Sequence, residues 1–176
     1  MRTAGAEPSS AIRTERLELR PCTHEMARAA MRSPETLRRI LGATIAAGWP
    51  SEDLIDAIPV YIAHLERDVD ALGWGLWLMI EPAANVMVGD AGFKGRPDAL
   101  GRVEIGYGVA PGERGKGYAT EAASALIDWA KHQGVKVITA ECLDHNAPSI
   151  RVLEKTRFRR IGRVGHMLKW ERKVER

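Results

Sequence analysis

Apolar residues recur at two periods along this chain, and the switches between the periods lay out its elements. Ile12 to Arg20 alternates, with Leu17 and Leu19 on one side and charged residues on the other, which predicts a first strand. Thr23 reads as the N-cap of a helix with Met26, Ala30 and Met31 beneath it, and Ser33-Pro34-Glu35 opens a second helix through Leu41 with proline at its first position. Gly42 to Pro50 reads as loop. Ser51-Glu52-Asp53 begins a longer helix that turns Leu54, Ile55, Ile58, Ile62 and Leu65 inward and ends near Asp68; Pro59 inside it predicts a kink or an interruption. Trp74 to Ile80 and Val86 to about Lys94 are the next two strands, joined by the turn Glu81 to Asn85, and Pro97-Asp98-Ala99 turns the chain again. The fourth strand alternates through Val103, Ile105, Tyr107 and Val109 and is stopped by Pro111-Gly112.

Helical spacing then returns in Ala122, Ala125, Leu126, Trp129 and Ala130, from Tyr118 to Gln133, with Gly134 placed to end it in a left-handed turn. Val135 to Leu143 is a fifth strand, Asn146 caps a helix to about Lys155, and Phe158 to Val164 with His166 to Arg172 closes as a hairpin turning at Gly165. The fold class is α/β, a mixed sheet of about seven strands flanked by helices. Residues 1–10 are small and polar and are expected to be disordered; 11–176 form one domain.

Composition narrows the function classes. A chain of 176 residues at 45% hydrophobic content can bury one core. A net charge of +3, from 26 basic and 23 acidic residues, gives no electrostatic case for nucleic acid or an anionic membrane surface. No apolar run reaches the roughly 20 residues of a membrane helix. Cys22 and Cys142 are far apart and read as reduced, buried residues, so the expected location is the cytoplasm. His24, His64, His132, His145 and His166 show no metal-ligand spacing, and no metal is expected.

The chemistry concentrates in Val109 to Glu121. Between strand and helix, Arg114 to Ala119 supplies two glycines and free backbone N–H groups at a helix N-terminus, where the macrodipole favours an anion. Two common phosphate loops do not fit. A triphosphate loop aligned on Gly115-Lys116 has Ala110 for its first glycine and Gly117 for its hydroxyl residue. The dinucleotide pattern runs from Gly106 to Pro111 or from Gly115 to Thr120 and lacks its third glycine either way.

Arg114-x-x-Gly117-x-Ala119 instead resembles the signature of the GNAT acyl-CoA N-acyltransferase superfamily, in the same strand, turn and helix context. Asn146 to Phe158 is similar to that family's downstream segment, and Thr14-Glu15-Arg16-Leu17-Glu18-Leu19-Arg20-Pro21 to the opening of its ribosomal-protein alanine acetyltransferase branch. The resemblance implies a sheet whose fourth and fifth strands splay apart, with acetyl-CoA as co-substrate and no metal. It assigns the cofactor to Val109, Arg114, Gly115, Lys116, Gly117, Tyr118, Ala119, Thr120 and Asn146. It further implies that Glu104 is the general base for a primary amine, directly or through water. Where many relatives carry an acidic tyrosine this chain has Leu153, and Ser149 is the substitute. Arg157 stands where the family has glycine, so strain or a different helix exit is expected there. Trp49, Trp74 and Trp77 are expected either in the core or as walls of the acceptor pocket. The acceptor is a protein N-terminus or a small-molecule amine, and the protein a monomer or homodimer. The alternative from another class is a non-catalytic acyl-CoA sensor.

Overall fold

The computed structural model describes residues 10–174; the expected N-terminal extension lies, Ser10 aside, outside the described residues. Nine strands and five helices follow in the order β1 (Ile12–Arg13), β2 (Glu18–Pro21), α1 (His24–Arg32), α2 (Pro34–Leu41), β3 (Thr44–Ile45), α3 (Glu52–Arg67), β4 (Leu76–Glu81), β5 (Val86–Phe93), β6 (Arg102–Val109), α4 (Tyr118–His132), β7 (Val137–Leu143), α5 (Ala147–Lys155), β8 (Arg159–Val164) and β9 (Met167–Lys173). The sheet runs β1-β2-β4-β5-β6-β7-β9-β8, with β3 beside β5. Every pairing is antiparallel except β3 with β5 and β6 with β7.

The two strands beyond the expected seven have separate causes. The expected first strand folds back on itself, Ile12 pairing with Leu19, because Thr14 accepts and donates hydrogen bonds with Leu17 and closes a turn inside the run. The second is β3, inside the expected loop, where Thr44 and Ile45 pair with Val86 and Met87. The helices start where their caps predicted: Thr23, Ser33, Ser51 and Asn146 each accept a first-turn N–H. α3 runs through Pro59 without interruption. Pro59 is on the exposed side, so the carbonyl it leaves unpaired faces water. Ile55 and Met31, expected inside, are 41% and 40% exposed.

Two apolar clusters cover the two faces. α4 and α5 lie over Trp77, Met79, Ala91, Val103, Ile105 and Ile138, while α1, α2 and α3 lie over Leu76, Leu78, Ile80 and Met87. β4 is buried on both faces, so its residues alternate between the clusters. Trp74 and Trp77 belong to the first cluster and edge onto Trp129, at centroid separations of 4.7 and 5.5 Å.

The sheet is parted at its centre. β6 pairs with β7 only at Arg102↔Val137, Val103↔Ile138 and Glu104↔Thr139. From Ile105 onward β6 stays with β5, and from Ala140 onward β7 stays with β9. The strand ends that face each other across this gap have lost their ladder, and that splay positions the site.

Candidate active site

At the mouth of the gap the chain leaves β6, makes a short 3-10 turn over Pro111–Glu113 and enters α4 through Gly115 and Gly117. Both glycines are left-handed, with φ of 78° and 85°, where a β-carbon is strained. Gly117 is the N-cap and has no side chain to spend on the first turn, so the N–H groups of Tyr118, Ala119 and Thr120 remain open for an anion.

The opening segment of the chain braces this turn. Thr14 Oγ1 and the Arg16 backbone N–H both donate to Glu121 Oε1, at 2.6 and 2.7 Å. Arg16 Nε reaches Oε2 at 2.8 Å, and its Nη1 holds the Lys116 carbonyl at 2.7 Å. The guanidinium lies 5.0 Å from the centre of the Tyr118 ring. Burial raises the Glu121 pKa, but hydrogen bonds from Thr14 and Arg16 outweigh it and hold the carboxyl below its usual range.

The gap opens into a cleft of about 680 Å³. Among the residues expected to hold the cofactor, Val109, Arg114, Gly115, Gly117, Tyr118, Ala119, Thr120 and Asn146 line it. Lys116 does not: its ammonium is tied to Glu113 Oε2 at 2.7 Å, outside the lining. Arg114 donates from Nε to the Val109 carbonyl at 3.0 Å, which fixes its stem along the cleft wall. Arg151 and Lys155 on α5, which sequence reasoning passed over, add two cations to the same wall.

Ser149 also lines the cleft. Its N–H donates to the Asn146 cap at 3.2 Å, and its hydroxyl lies 3.1 Å from Tyr107 Oη. That contact spans the parted strands. Leu153 is fully buried, so α5 offers no tyrosine, but β6 supplies one from the opposite side. Burial pushes the Tyr107 phenol up to about 12, opposed by the Ser149 hydrogen bond, and it stays protonated at neutral pH. Tyr107 had registered only as an apolar beat of the strand.

Sequence reasoning also missed Asp90. It is 9% exposed, lines the cleft, and accepts a hydrogen bond from Trp49 Nε1 on Oδ2 at 2.8 Å. Ala91 and Phe93 go into the α4 cluster, so Asp90, one residue before Ala91, points to the other face, beside Gly108. Burial pushes its carboxyl up to about 6, with the Trp49 bond opposing. The signal was in the sequence as the one acid in an otherwise apolar and glycine run, Val86 to Phe93. Trp49 therefore belongs to the cleft, whereas Trp74 and Trp77 belong to the core.

Glu104 shares the face of Asp90 but sits at the closed end of the gap, where β6 is still paired with Thr139. It forms an ion pair with Lys94 and is not among the residues lining the cleft. Between the two carboxylates the strand carries Gly106 and Gly108, and a β-carbon at Gly106 would meet nothing within 4 Å. Arg157 takes the left-handed conformation of the expected glycine, with φ 62°. Its N–H bonds Glu154 and the Phe158 N–H bonds Leu153, the two bonds of a Schellman stop, so the helix exit is the usual one despite the side chain. Among the described residues no cluster of His, Cys, Asp or Glu could hold a metal, and no helix is long and apolar enough to cross a membrane.

A mixed sheet parted beside an open helix N-terminus defines a class of α/β protein with an anion-suited turn at the mouth of a gap between two strands. The model of the acetyltransferase (GNAT) domain matches residues 16–159, and the chain belongs to this family. It is 34% identical over 148 residues to the uncharacterized N-acetyltransferase YjdG of Bacillus subtilis (strain 168), covering 84% of this chain and 88% of that protein. Among solved structures, a putative GNAT-family acetyltransferase from Bordetella pertussis superposes with a TM-score of 0.66 at 25% identity, over 93% of this chain and 99% of that one. The ribosomal-protein-S5-alanine acetyltransferase of Vibrio fischeri shares the fold at a TM-score of 0.67 and 16% identity, over 94% and 97%.

Proposed function

We propose that the protein transfers an acetyl group from acetyl-CoA to a primary amine. The observation that carries this reading is the parted β6–β7 gap, with three unpaired N–H groups of α4 at its mouth and a cationic wall of Arg114, Arg151 and Lys155. The dipole and open donors of α4 suit a pyrophosphate, each charge-assisted hydrogen bond contributing on the order of 1.5–3 kcal/mol. The unladdered edges of β6 and β7 suit an amide-bearing arm that needs backbone partners.

Catalysis asks the chain to receive the amine, attack the thioester carbonyl and protonate the departing thiolate. The last role is assigned to Ser149, with the Tyr107 phenol behind it as the next donor. Glu104 is assigned to the outer path of a long acceptor, beyond Gly106, rather than to the reacting nitrogen. The Vibrio fischeri neighbour is named for acetylating an alanine of a ribosomal protein, and a peptide that begins with alanine is therefore one acceptor to test.

The test is a thermal-shift comparison of acetyl-CoA, ATP and NADH at equal concentration, followed by thiol release with acetyl-CoA and a panel of amines. A ligand at about 100 times its Kd stabilises the native state by roughly 2.7 kcal/mol, a visible rise in Tm. A shift with acetyl-CoA alone together with amine-dependent thiol release supports the reading. A shift with ATP or NADH instead, or none, overturns it; acetyl-CoA binding with no turnover on any amine favours a sensor.

A further inference from the structure

The charges that line the cleft are sorted by side. Arg114, Arg151 and Lys155 come from the α4 entry and α5, whereas Asp53 and Asp90 come from α3 and β5, whose packing lies on the other side of the sheet, and Trp49 joins Asp90 there. Glu113, the remaining acid of the lining, is held by Lys116. One wall thus suits an anion and the other a cation.

Asp90 is the anomaly on the second wall. A carboxylate 91% removed from solvent normally has a cation or several donors around it, since an ionised group in a low-dielectric site is costly without them. Among the described residues no arginine, lysine or histidine pairs with it, and no donor but the Trp49 indole reaches it. That bond falls on Oδ2, and among the described residues no hydrogen bond falls on Oδ1. The neighbouring strand carries Gly108 directly opposite, where a β-carbon would come within 3.4 Å of Oδ2, so the approach to the carboxylate is kept clear of side chains.

Resting on the acetyltransferase reading above, we propose that Asp90, oriented by Trp49, is the catalytic residue that receives the acceptor as a primary ammonium and removes its proton. One N–H proton of the ammonium passes to Oδ1. The nitrogen lone pair then attacks the thioester carbonyl carbon. The C–S bond breaks with its electron pair on sulfur, a second nitrogen proton reaches the thiolate through Ser149, and the third stays on the amide product. Asp90 returns its proton to solvent. Trp49 lines the cleft beside the carboxylate it orients, so recognition and deprotonation fall on neighbouring side chains.

The titratable groups around Asp90 leave it in charge of the profile. Behind it is Cys22, pushed up to about 12 by burial and by Asp90 itself, and Tyr61, raised by burial and then by Cys22. Asp53 and Arg114 line the same cleft, and Tyr107 faces it from β6. Neither Cys22 nor Tyr61 ionises in the working range.

The experiment compares the parent with Asp90→Asn and Trp49→Phe, using phenethylamine, 1,4-diaminobutane and the peptide Ala-Ala-Ala as acceptors. For the parent, kcat/KM rises with pH through an inflection near 6. Asp90→Asn is expected to keep its acetyl-CoA Kd within twofold, lose kcat/KM by at least a hundredfold, and lose that inflection. Trp49→Phe, which removes the one donor to the carboxylate, moves the inflection upward and lowers kcat/KM by less than Asp90→Asn does. An Asp90→Asn protein that keeps more than a tenth of the parent rate, or a parent profile with no inflection that these two changes alter, overturns this assignment alone. A parent that neither binds acetyl-CoA nor acetylates any of the three amines overturns the acetyltransferase reading and this one together.

Discussion

The buried carboxylate on β5 should make the protein less stable at neutral pH than it need be, and Asp90→Asn measures by how much. Asp90 titrates near 6 in the folded chain against an ordinary value of 3.8. Between those two pH values the native state holds a proton that the unfolded chain has released, so stability falls as pH rises through the window. The shift of about two units corresponds to roughly 3 kcal/mol at pH 8, as an upper figure. Asparagine occupies the same volume, accepts the same Trp49 hydrogen bond and carries no charge at any pH. The variant should therefore be more stable than the parent at pH 8 by up to that amount, roughly 6–12 °C in Tm for a chain of this size. The advantage should shrink through pH 6 and vanish near pH 4. Urea and thermal melts followed by circular dichroism at pH 4, 6 and 8 read it directly. A difference that is constant with pH, or an asparagine protein that is the weaker one at pH 8, would refute desolvation as the force on this group. Loss of turnover alongside a firmer fold would mark Asp90 as a residue kept for chemistry at the expense of stability.

Three further outcomes follow from other parts of the structure. Arg157→Gly relieves a left-handed backbone at an exposed helix exit and should stabilise the protein by about 1 kcal/mol in chemical denaturation, with acetyl-CoA affinity unchanged. Gly117→Ala forces a β-carbon into the same backbone region and to 3.2 Å from Arg16 Nη2; it should cost about 1–2 kcal/mol of stability and weaken acetyl-CoA in calorimetry. Ser149→Ala should lower kcat about tenfold or more with little change in acetyl-CoA Kd, and Tyr107→Phe should lower it less, because the phenol is assigned the role of donor behind the serine hydroxyl.

Periodicity located most of the sheet because its faces are covered so differently: the alternation of Val103, Ile105, Tyr107 and Val109 is the α4 side of β6 and nothing else. The glycine turn and the α4 N-terminus were legible for a similar reason, since the chemistry of that stretch is backbone chemistry and glycine spacing encodes it. What could not be counted along the chain were partners. Thr14 turns an alternating run back on Leu17 and so makes two short strands, and a carboxylate on α4 holds that turn through Thr14 and Arg16. β3 exists because the neighbouring edge of β5 is free to take it, which no local pattern announces. The alternation placed Glu104 on a face correctly, yet whether a residue on that face meets the gap depends on where β6 stops pairing with β7, three rungs along. Asp90 was visible as a lone acid in an apolar strand. Its meaning required the indole of Trp49, which lies 41 residues earlier in the chain with α3 and β4 between.

The brace from Thr14 and Arg16 to Glu121 joins positions 107 and 105 residues apart in the chain. Contacts of that span raise the contact order and are made late, after the loop-closure entropy of the intervening segment has been met. The open N-terminus of α4 is therefore not a local unit that a short fragment could display. On the ribosome its first anchor is translated early and its last only with α4, so a nascent chain holds the anion site open to nothing until most of the domain has been made.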